Sequence, residues 1–264
     1  MSEDKSDAIA AHIFAEESAG AKMTALPPDL MPLATDAAYA AQDKLQEHIQ
    51  AAGAGDIVGW KVALTSKVMQ ELVGFGQPCE GAIFSTRLHT SPAGVKHGDF
   101  VNIGVESEIA VRLGRDLPAN GAPYSRESVA AAVDACMAAI EIVDDRAMDY
   151  KQLNPLQLIA ANSFNAGCVI GPPVTNWRDL DLASLKGRMR INGQVVGEGV
   201  GGDALGHPLE PLAFLANNLI ERGRMLKAGD IVLTGSIVAT KWLNPGDAMA
   251  TEVDGLGEAV LNVS

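Results

Sequence analysis

The part of the chain after Gly59 is divided by glycine, proline and aspartate into short apolar runs. Short apolar runs between such turn-forming residues are typical of β-strands. The predicted strands cover residues 60–64, 81–84, 101–113, 139–143, 166–170, 189–196, 231–234, 248–253 and 259–263. Because these segments do not alternate regularly with helical patterns, a doubly wound parallel sheet is disfavoured. A mixed sheet, rolled or sandwiched, is favoured instead.

Helical patterns are concentrated near the N-terminus. Residues 5–20 and 36–52 are alanine-rich, their apolar side chains are spaced to share a helix face, and Thr35 is placed to act as the N-cap of the second helix. Residues 125–137 and 207–222 also have helical periodicity. The sequence therefore predicts an α+β protein in which a small helical region precedes a β-rich body.

Charge and cysteine content limit the partners and the compartment. The chain has 33 acidic and 20 basic residues, and its net charge of −13 repels phosphate backbones and anionic lipid. No apolar run approaches the roughly 18 residues that a membrane helix needs. The N-terminal segment does not have the basic-then-apolar order of a signal peptide. Three cysteines are too few for a disulfide framework. We therefore expect a cytoplasmic protein that binds neither nucleic acid nor membranes.

Two glutamates in the segment 102–118 are candidate metal ligands. In a strand, Glu106 and Glu108 lie on one face, two residues apart. Adjacent carboxylates repel each other, and away from solvent they are costly unless they are protonated or share a cation. A hard divalent ion such as Mg²⁺ is the simplest explanation, and a solvated strand edge is the alternative.

A third carboxylate, Glu141, lies between two isoleucines in an apolar run, where it needs a partner. It is the natural third oxygen ligand, because three carboxylates leave coordination positions open for a substrate. Asp144, Asp145 and Arg146 follow at the end of this predicted strand. Arg146 is a candidate substrate-binding residue, and a surface turn is the alternative for this segment.

Polar residues at two other strand ends complete the candidate site. Lys61 lies in the apolar run 60–64, where burial and nearby carboxylates would set its pKa and suit it to proton transfer. A lysine whose ammonium group reaches solvent is the alternative. Thr65 and Ser66 follow with hydroxyl donors, and the Thr-Gly-Ser sequence ending at Ser236 predicts a turn with donors for an anionic oxygen.

Several common catalytic motifs are missing from the sequence. We find no glycine-rich dinucleotide fingerprint, no P-loop and no nucleophile elbow. The five histidines are spread singly, which disfavours a histidine-based zinc site. Nucleotide-binding and serine-hydrolase functions are therefore disfavoured.

Five segments, taken in order, closely resemble one group of the fumarylacetoacetate hydrolase superfamily, the 2-keto-4-pentenoate hydratases and 4-oxalocrotonate decarboxylases. The segments are GWKVALTSK, GVESEIAVRLGRDLP, IEIVDDR, NGQVVGEGVGGDALGHPLEPLAFLANNL and LKAGDIVLTGS. The resemblance runs from about Asp36 to the C-terminus and implies a mixed β-roll with flanking helices. We expect a helical region, residues 1–55, packed on a β-roll catalytic domain, residues 56–264.

The resemblance also implies roles for individual residues. Mg²⁺ or Mn²⁺ would be held by three carboxylates, Glu106, Glu108 and Glu141. Lys61 matches a lysine that contacts substrate or moves protons, and Ser236 matches a contact to the substrate carboxylate. Thr65, Ser66 and Arg146 are further substrate-binding candidates.

One departure from the family pattern concerns a proposed acid or base. Relatives commonly have an acidic residue directly after the proline of the loop before the second predicted strand, whereas here Pro78 is followed by Cys79 and then Glu80. Either Glu80 acts as a catalytic residue from this shifted position, or the proton chemistry differs.

The resemblance implies a metal-dependent hydro-lyase that adds water to a 2-hydroxy-2,4-dienoate and yields a 4-hydroxy-2-oxo acid, in the catabolism of aromatic meta-cleavage products. A 4-oxalocrotonate-type decarboxylase is the first alternative, because both reactions develop an enolate that a cation stabilises. An acylpyruvate hydrolase and an inactive structural subunit are less favoured. The expected partners are a small 2-oxo or 2-enol carboxylate substrate, further copies of the chain in a homo-oligomer, and a pathway decarboxylase.

Overall fold

A computed structural model describes residues 5–264 as two β-sheets flanked by helices. The helices are α1 (Ser6–Ser18), α2 (Thr35–Ile49), α3 (Lys67–Val73), α4 (Arg126–Ala130), α5 (Pro155–Ala160) and α6 (Leu209–Glu221). The strands are β1 (Ile57–Ala63), β2 (Cys79–Phe84), β3 (Leu88–Thr90), β4 (Ala93–Val95), β5 (Ile103–Leu113), β6 (Val133–Asp144), β7 (Asn165–Ile170), β8 (Lys186–Ile191), β9 (Gln194–Val200), β10 (Ile231–Trp242), β11 (Ala248–Val253) and β12 (Gly257–Val263).

Both sheets are mixed. The first has seven strands in the order β2-β1-β10-β5-β6-β7-β3, and the second has five in the order β4-β12-β11-β8-β9. Most neighbouring strands are antiparallel, but β1 and β10, β3 and β7, and β4 and β12 run parallel. The second sheet packs on the central strands of the first, with β11 and β12 against β6. The expected α+β architecture with mixed sheets is therefore confirmed.

Strand β5 separates two apolar regions. Val105 and Ile109 point to one face and join the large core that the two sheets share with the helices. The alternate residues point to the other face. There Ala110 belongs to a small buried cluster made of Ile83, Ala110, Met137, Ala139, Cys168, Ile231 and Leu233. Glu106 and Glu108 lie on the same face as Ala110, so the two glutamates border this small cluster.

The two N-terminal helices pack on the body of the protein. Ile13 of α1 and Leu45 of α2 are completely buried in the main core, and α2 also packs against α5. Helix α2 begins at Thr35 and has Ala34 as its N-cap, so the prediction of a Thr35 N-cap is wrong by one residue. The domain division at residue 55 remains a prediction. Within residues 5–264, no helix is long and apolar enough to cross a membrane.

The helix predicted for residues 125–137 is wrong in its second half. Helix α4 has Ser125 as its N-cap and ends at Ala130, and β6 begins at Val133. The segment contains several alanines, which favour a helix locally, but as part of β6 it pairs with β5 and is buried on both faces. Burial between strands thus overrides the low strand propensity of alanine.

Two further predictions are corrected by turn and bulge geometry. Residues 189–196 form parts of two strands, β8 and β9, because Asn192 and Gly193 both have positive φ and make a tight hairpin turn. The turn expected at residues 234–236 is a bulge inside the long strand β10, where the pairing with β5 shifts. Gly235 has a φ of +108° in this bulge, which redirects the backbone without ending the strand.

The close approach of β1 to β10 depends on Gly59. A Cβ atom at this position would collide with the backbone of Ile231 in the paired strand. We predict that Gly59→Ala lowers the free energy of unfolding by about 1–3 kcal/mol, the usual cost of overpacking. Gly98→Ala is the control, since an exposed substitution without close neighbours stays within about 0.5 kcal/mol. Urea denaturation measures both variants, and equal stabilities would contradict the close packing.

Candidate metal centre

Three glutamates from two neighbouring strands form an acidic cluster. Glu106 and Glu108 come from β5 and Glu141 from β6, and one carboxylate oxygen of each lies within 4.8 Å of the others. The strand register places Glu106 directly opposite Glu141, and opposed residues have their side chains on the same face. Glu108 and Glu141 are buried, whereas Glu106 is half-buried. The acidic cluster is therefore built by strand pairing.

One lysine faces the acidic cluster. Lys61 of β1 is buried, and its Nζ lies 3.0 Å from Glu141 Oε1. Burial alone would lower the pKa of Lys61, but Glu141 and Glu106 outweigh this effect and raise the pKa above its usual value. Lys61 is therefore positively charged at neutral pH and neutralises only one of the three carboxylates.

Burial and the remaining negative charge raise the pKa of two of the glutamates, Glu106 and Glu108. Burial raises the pKa of Glu106 to about 6, and the charge of Glu141 adds to this rise. Burial also raises the pKa of Glu108 well above its usual value, with further contributions from Glu141 and Glu106. Two buried carboxylates and a half-buried one, with only one ammonium group, are thus unfavourable. A divalent cation would remove this penalty.

The hydrogen bonds of the acidic cluster suit a cation with oxygen ligands. Glu108 Oε2 accepts the backbone N–H of Gly235 at 2.7 Å, whereas its buried Oε1 has no hydrogen-bond partner within residues 5–264. Glu106 Oε1 accepts the hydroxyl group of Thr240. Hard divalent ions such as Mg²⁺ and Mn²⁺ prefer carboxylate oxygens. The residues present therefore fit such an ion and leave coordination positions for substrate oxygens.

Two of the three predicted hydroxyl residues lie at the acidic cluster. The hydroxyl group of Ser236 donates to the carbonyl oxygen of Val238 in the β10 bulge, and it lies near enough to Glu106 to offset part of the rise in the pKa of that glutamate. Thr65 packs against Gly235 in the β10 bulge, where a Cβ atom would collide with the threonine side chain. Ser66 instead caps α3, because its hydroxyl accepts a backbone N–H of that helix.

Glu80 lies on the opposite face of the sheet from Lys61. It is paired with Val62 of β1, and opposed residues share a face, so its side chain points away from the acidic cluster. Its carboxylate accepts hydrogen bonds from three residues on the helix side, Tyr39, Asn218 and Arg222. The expected role of Glu80 in proton transfer is corrected by this position, which makes it a buried link between β2 and the helices.

Of the neighbours Cys79 and Glu80, it is Cys79 that points to the same face as Lys61. Cys79 lies opposite Ala63, which is two residues from Lys61 in β1. Its Sγ is 3.5 Å from the hydroxyl oxygen of Ser163. Burial raises the pKa of the Cys79 thiol to about 12, so the thiol stays protonated at neutral pH. Cys79 therefore adds no negative charge to the acidic cluster.

Arg146 contacts the N-terminal helices. Its Nη1 donates a hydrogen bond to the carbonyl oxygen of Ile13 in α1 at 3.3 Å. Its backbone has a φ of +49° and its N–H donates to Asp144, whose carboxylate also accepts the N–H of Asn102. The segment is a turn, but Asp145 and Arg146 are buried, so it is not the surface turn of the alternative interpretation. This position does not support substrate binding by Arg146.

Two polar residues at the acidic cluster were not identified from the sequence. Asn165 Nδ2 donates to Glu141 Oε1 at 3.0 Å, and Thr240 donates to Glu106. Thr240 lies beyond the β10 bulge, so its face cannot be deduced without the bulge. Asn165 follows three residues with positive φ, and no motif in the sequence indicates that conformation.

Comparisons with known proteins place this geometry in one family. The family model described as fumarylacetoacetate (FAA) hydrolase C-terminal matches residues 65–264. A 2-keto-4-pentenoate hydratase of Burkholderia vietnamiensis is 32% identical over 97% of each chain. A 4-oxalocrotonate decarboxylase of Pseudomonas putida is 32% identical over 95% of this chain and 93% of its own.

A solved structure extends the comparison to the whole fold. The 4-oxalocrotonate decarboxylase from Pseudomonas putida G7, complexed with magnesium and adipate, matches with a TM-score of 0.92 at 28% identity, and covers 100% of this chain and 99% of that chain. The resemblance indicated by the sequence motifs is therefore confirmed. The chain belongs to the fumarylacetoacetate hydrolase family, in the group of 2-keto-4-pentenoate hydratases and 4-oxalocrotonate decarboxylases.

Proposed function

We propose that this protein adds water to a 2-hydroxy-2,4-dienoate in the catabolism of aromatic meta-cleavage products. The simplest substrate is 2-hydroxypenta-2,4-dienoate, which takes up one water molecule. It gains a proton at C5 and a hydroxyl group at C4, loses its enol proton from O2 and gains a proton at C3, which gives 4-hydroxy-2-oxopentanoate. The observation that carries the proposal is the buried acidic cluster with its single lysine, in a chain that is similar along its length to 2-keto-4-pentenoate hydratases.

The acidic cluster is the proposed binding site for Mg²⁺ or Mn²⁺, with ligands Glu106, Glu108 and Glu141. When bound, such a cation supplies positive charge for the carboxylate and 2-oxygen of the substrate and stabilises the negative charge that develops there. The chain carries a net charge of −13, so an anionic substrate needs this local positive charge in order to bind.

Lys61 is the proposed proton-transfer group. Its ammonium group is held 3.0 Å from Glu141 in a buried position, so it is oriented before a substrate arrives. Thr65 and Ser236 are the proposed hydroxyl contacts of the substrate carboxylate, and Ser236 would turn its hydroxyl group away from the carbonyl oxygen of Val238 to make this contact. Ser66 and Arg146 are left out of this role, because their polar groups are engaged in a helix cap and in a contact to α1.

Decarboxylation of a 4-oxalocrotonate-type acid is the second candidate function. The observation that favours it is the similarity of the whole chain to a solved 4-oxalocrotonate decarboxylase. Both reactions develop negative charge on the 2-oxygen of the substrate, so the same acidic cluster serves either one. The identity of the product distinguishes them.

A cytoplasmic location and a homo-oligomeric state complete the proposal. All three cysteines are free and buried, which suits a reducing compartment. Leu33, Val68 and Leu72 are exposed apolar residues that further copies of the chain, or a pathway decarboxylase, would cover. Light scattering on the purified protein measures the subunit number.

The purified protein with Mg²⁺ is predicted to consume freshly generated 2-hydroxypenta-2,4-dienoate and to yield 4-hydroxy-2-oxopentanoate. Ultraviolet absorbance follows the substrate, and mass spectrometry identifies the product. EDTA should lower the rate at least about 100-fold, because a catalytic cation contributes several kcal/mol and each 1.36 kcal/mol is a factor of ten. A dienoate that stays unchanged while the cation is bound contradicts the hydratase proposal and leaves the decarboxylase.

Two lysine variants separate proton transfer from cation binding in this assay. Lys61→Met should lower kcat by about 10²–10⁴-fold, the usual contribution of a general acid or base, while Mg²⁺ still raises Tm. Lys186→Met, at an exposed position of β8, is the control and should keep the wild-type kcat. A wild-type kcat in Lys61→Met would show that another group transfers the proton.

Stabilisation by Mg²⁺ should increase with pH. The pKa of Glu106 is raised from 4.5 to about 6, so its protonated form stabilises the metal-free fold at pH values below 4.5, and this contribution is lost as the pH rises through 6. A cation needs ionised carboxylates. The rise in Tm caused by Mg²⁺ should therefore grow between about pH 5 and pH 7.5. Calorimetry with and without Mg²⁺ at each pH measures this rise in Tm. A rise in Tm that does not depend on pH would argue against the acidic cluster as the binding site.

A further inference from the structure

A left-handed turn lies directly before Asn165. Its three residues, Asn162, Ser163 and Phe164, have φ values of +52°, +50° and +61°, and all three are buried. For a residue other than glycine, this conformation costs about 1–2 kcal/mol of stability. Such strain persists only where surrounding contacts fix it, and it is concentrated at functional sites. The turn therefore depends on the contacts that hold it.

These contacts come from β2. Asn162 Oδ1 accepts the N–H of Ala82 at 2.7 Å, and its Nδ2 donates to the carbonyl oxygen of Ala82 at 3.0 Å, so one side chain satisfies both backbone groups. Ser163 donates to the carbonyl oxygen of Glu80 at 2.9 Å. Gly81 allows this approach, because a Cβ atom there would collide with the carbonyl oxygen of Asn162. The turn is thus clamped to the strand next to β1.

The turn brings Asn165 to the acidic cluster. Asn165 is 6% exposed, and its Nδ2 donates to Glu141 Oε1 at 3.0 Å. Lys61 contacts the same oxygen at 3.0 Å. The orientation of the amide is fixed, since a flipped amide would place its own oxygen against the carboxylate. Two donors therefore hold one oxygen of Glu141, and its second oxygen takes no hydrogen bond from either of them.

We propose that Asn165, held by the left-handed turn, is a positioning residue that orients Glu141 for the divalent cation. The inference rests on the proposed function, because it takes the acidic cluster as the cation site. Asn165 acts through Glu141 and is not itself a ligand of the cation. Residues that hydrogen-bond to metal ligands commonly change metal affinity by about 10–100-fold when they are replaced.

Titration of the metal-free protein with Mn²⁺ in a calorimeter tests the inference without any substrate. Asn165→Leu removes the amide but keeps a similar volume, and it should raise the Kd for Mn²⁺ by about 10-fold or more. At saturating Mn²⁺ its kcat should recover towards the wild-type value, because the defect lies in cation binding. A purely structural role of Asn165 would lower Tm without this selective change in Kd.

Two further variants distinguish the contribution of the left-handed turn from that of the Asn165 amide. Asn162→Ala loosens the clamp on β2 without altering a side chain of the acidic cluster, and it should also weaken Mn²⁺ binding. Asn217→Ala is the matched control, because its amide likewise bonds both backbone groups of one residue, Tyr124, outside the acidic cluster. Asn217→Ala should keep the wild-type Kd.

The outcomes distinguish this inference from the proposed function. A wild-type protein that binds Mn²⁺ and an Asn165→Leu variant with the same Kd would overturn the positioning role and leave the cation site in place. A wild-type protein that does not bind Mn²⁺ would overturn the proposed function itself. If Asn165→Leu does not fold, Asn165→Ala, which adds no bulk, decides in its place by the same change in Kd.

Discussion

Like-charge repulsion inside the first sheet is the constraint on which the rest of the structure depends. The pairing of β5 with β6 brings three glutamate side chains to one face, and the burial of that face keeps water from screening them. Lys61, the N–H of Gly235 and the hydroxyl of Thr240 offset part of the cost. Burial and the neighbouring carboxylates still raise the pKa values of Glu106 and Glu108, so part of the cost remains. A divalent cation between the three carboxylates would remove the remaining cost.

The sheet keeps two buried charge networks apart by strand alternation. Adjacent residues of a strand point to opposite faces, so Cys79 lies on the side of Lys61 while Glu80 lies on the side of the helices. On the helix side, Arg222 forms ion pairs with Glu80 and Asp43 and connects β2 to α2. A shift of one residue along the chain therefore places a carboxylate in a different network, and the position of Glu80 does not support its acting in place of an acidic group at position 79.

Local patterns singled out the main residues of the site, and the resemblance to a family decided between a metal site and a solvated strand edge. Glu106 and Glu108 follow period-two alternation, and Glu141 and Lys61 are charged residues within apolar runs. The structure brings these four residues together. Their convergence depends on pairing between strands that are far apart in the sequence, above all on β10, which lies between β1 and β5. The sequence indicated this pairing only through the resemblance to a family.

Most of the predictions that failed depended on tertiary structure, whereas the failure at residues 189–196 did not, because Asn192-Gly193 is a local hairpin signal. The alanine-containing start of β6 becomes a strand only because β5 pairs with it. The bulge at Gly235 determines which residues of β10 reach Glu106, and the clamp of Asn162 on Ala82 determines where Asn165 lies. None of these contacts has a local signature, because each is made with a distant strand.

Anomalous diffraction from crystals of the protein soaked in Mn²⁺ is the most direct test of the central claim. The account predicts one strong peak between the carboxylates of Glu106, Glu108 and Glu141, at distances of about 2.0–2.3 Å from their oxygens, and no such peak in Glu108→Gln crystals. A wild-type crystal with the three carboxylates in place and no Mn²⁺ between them would contradict it.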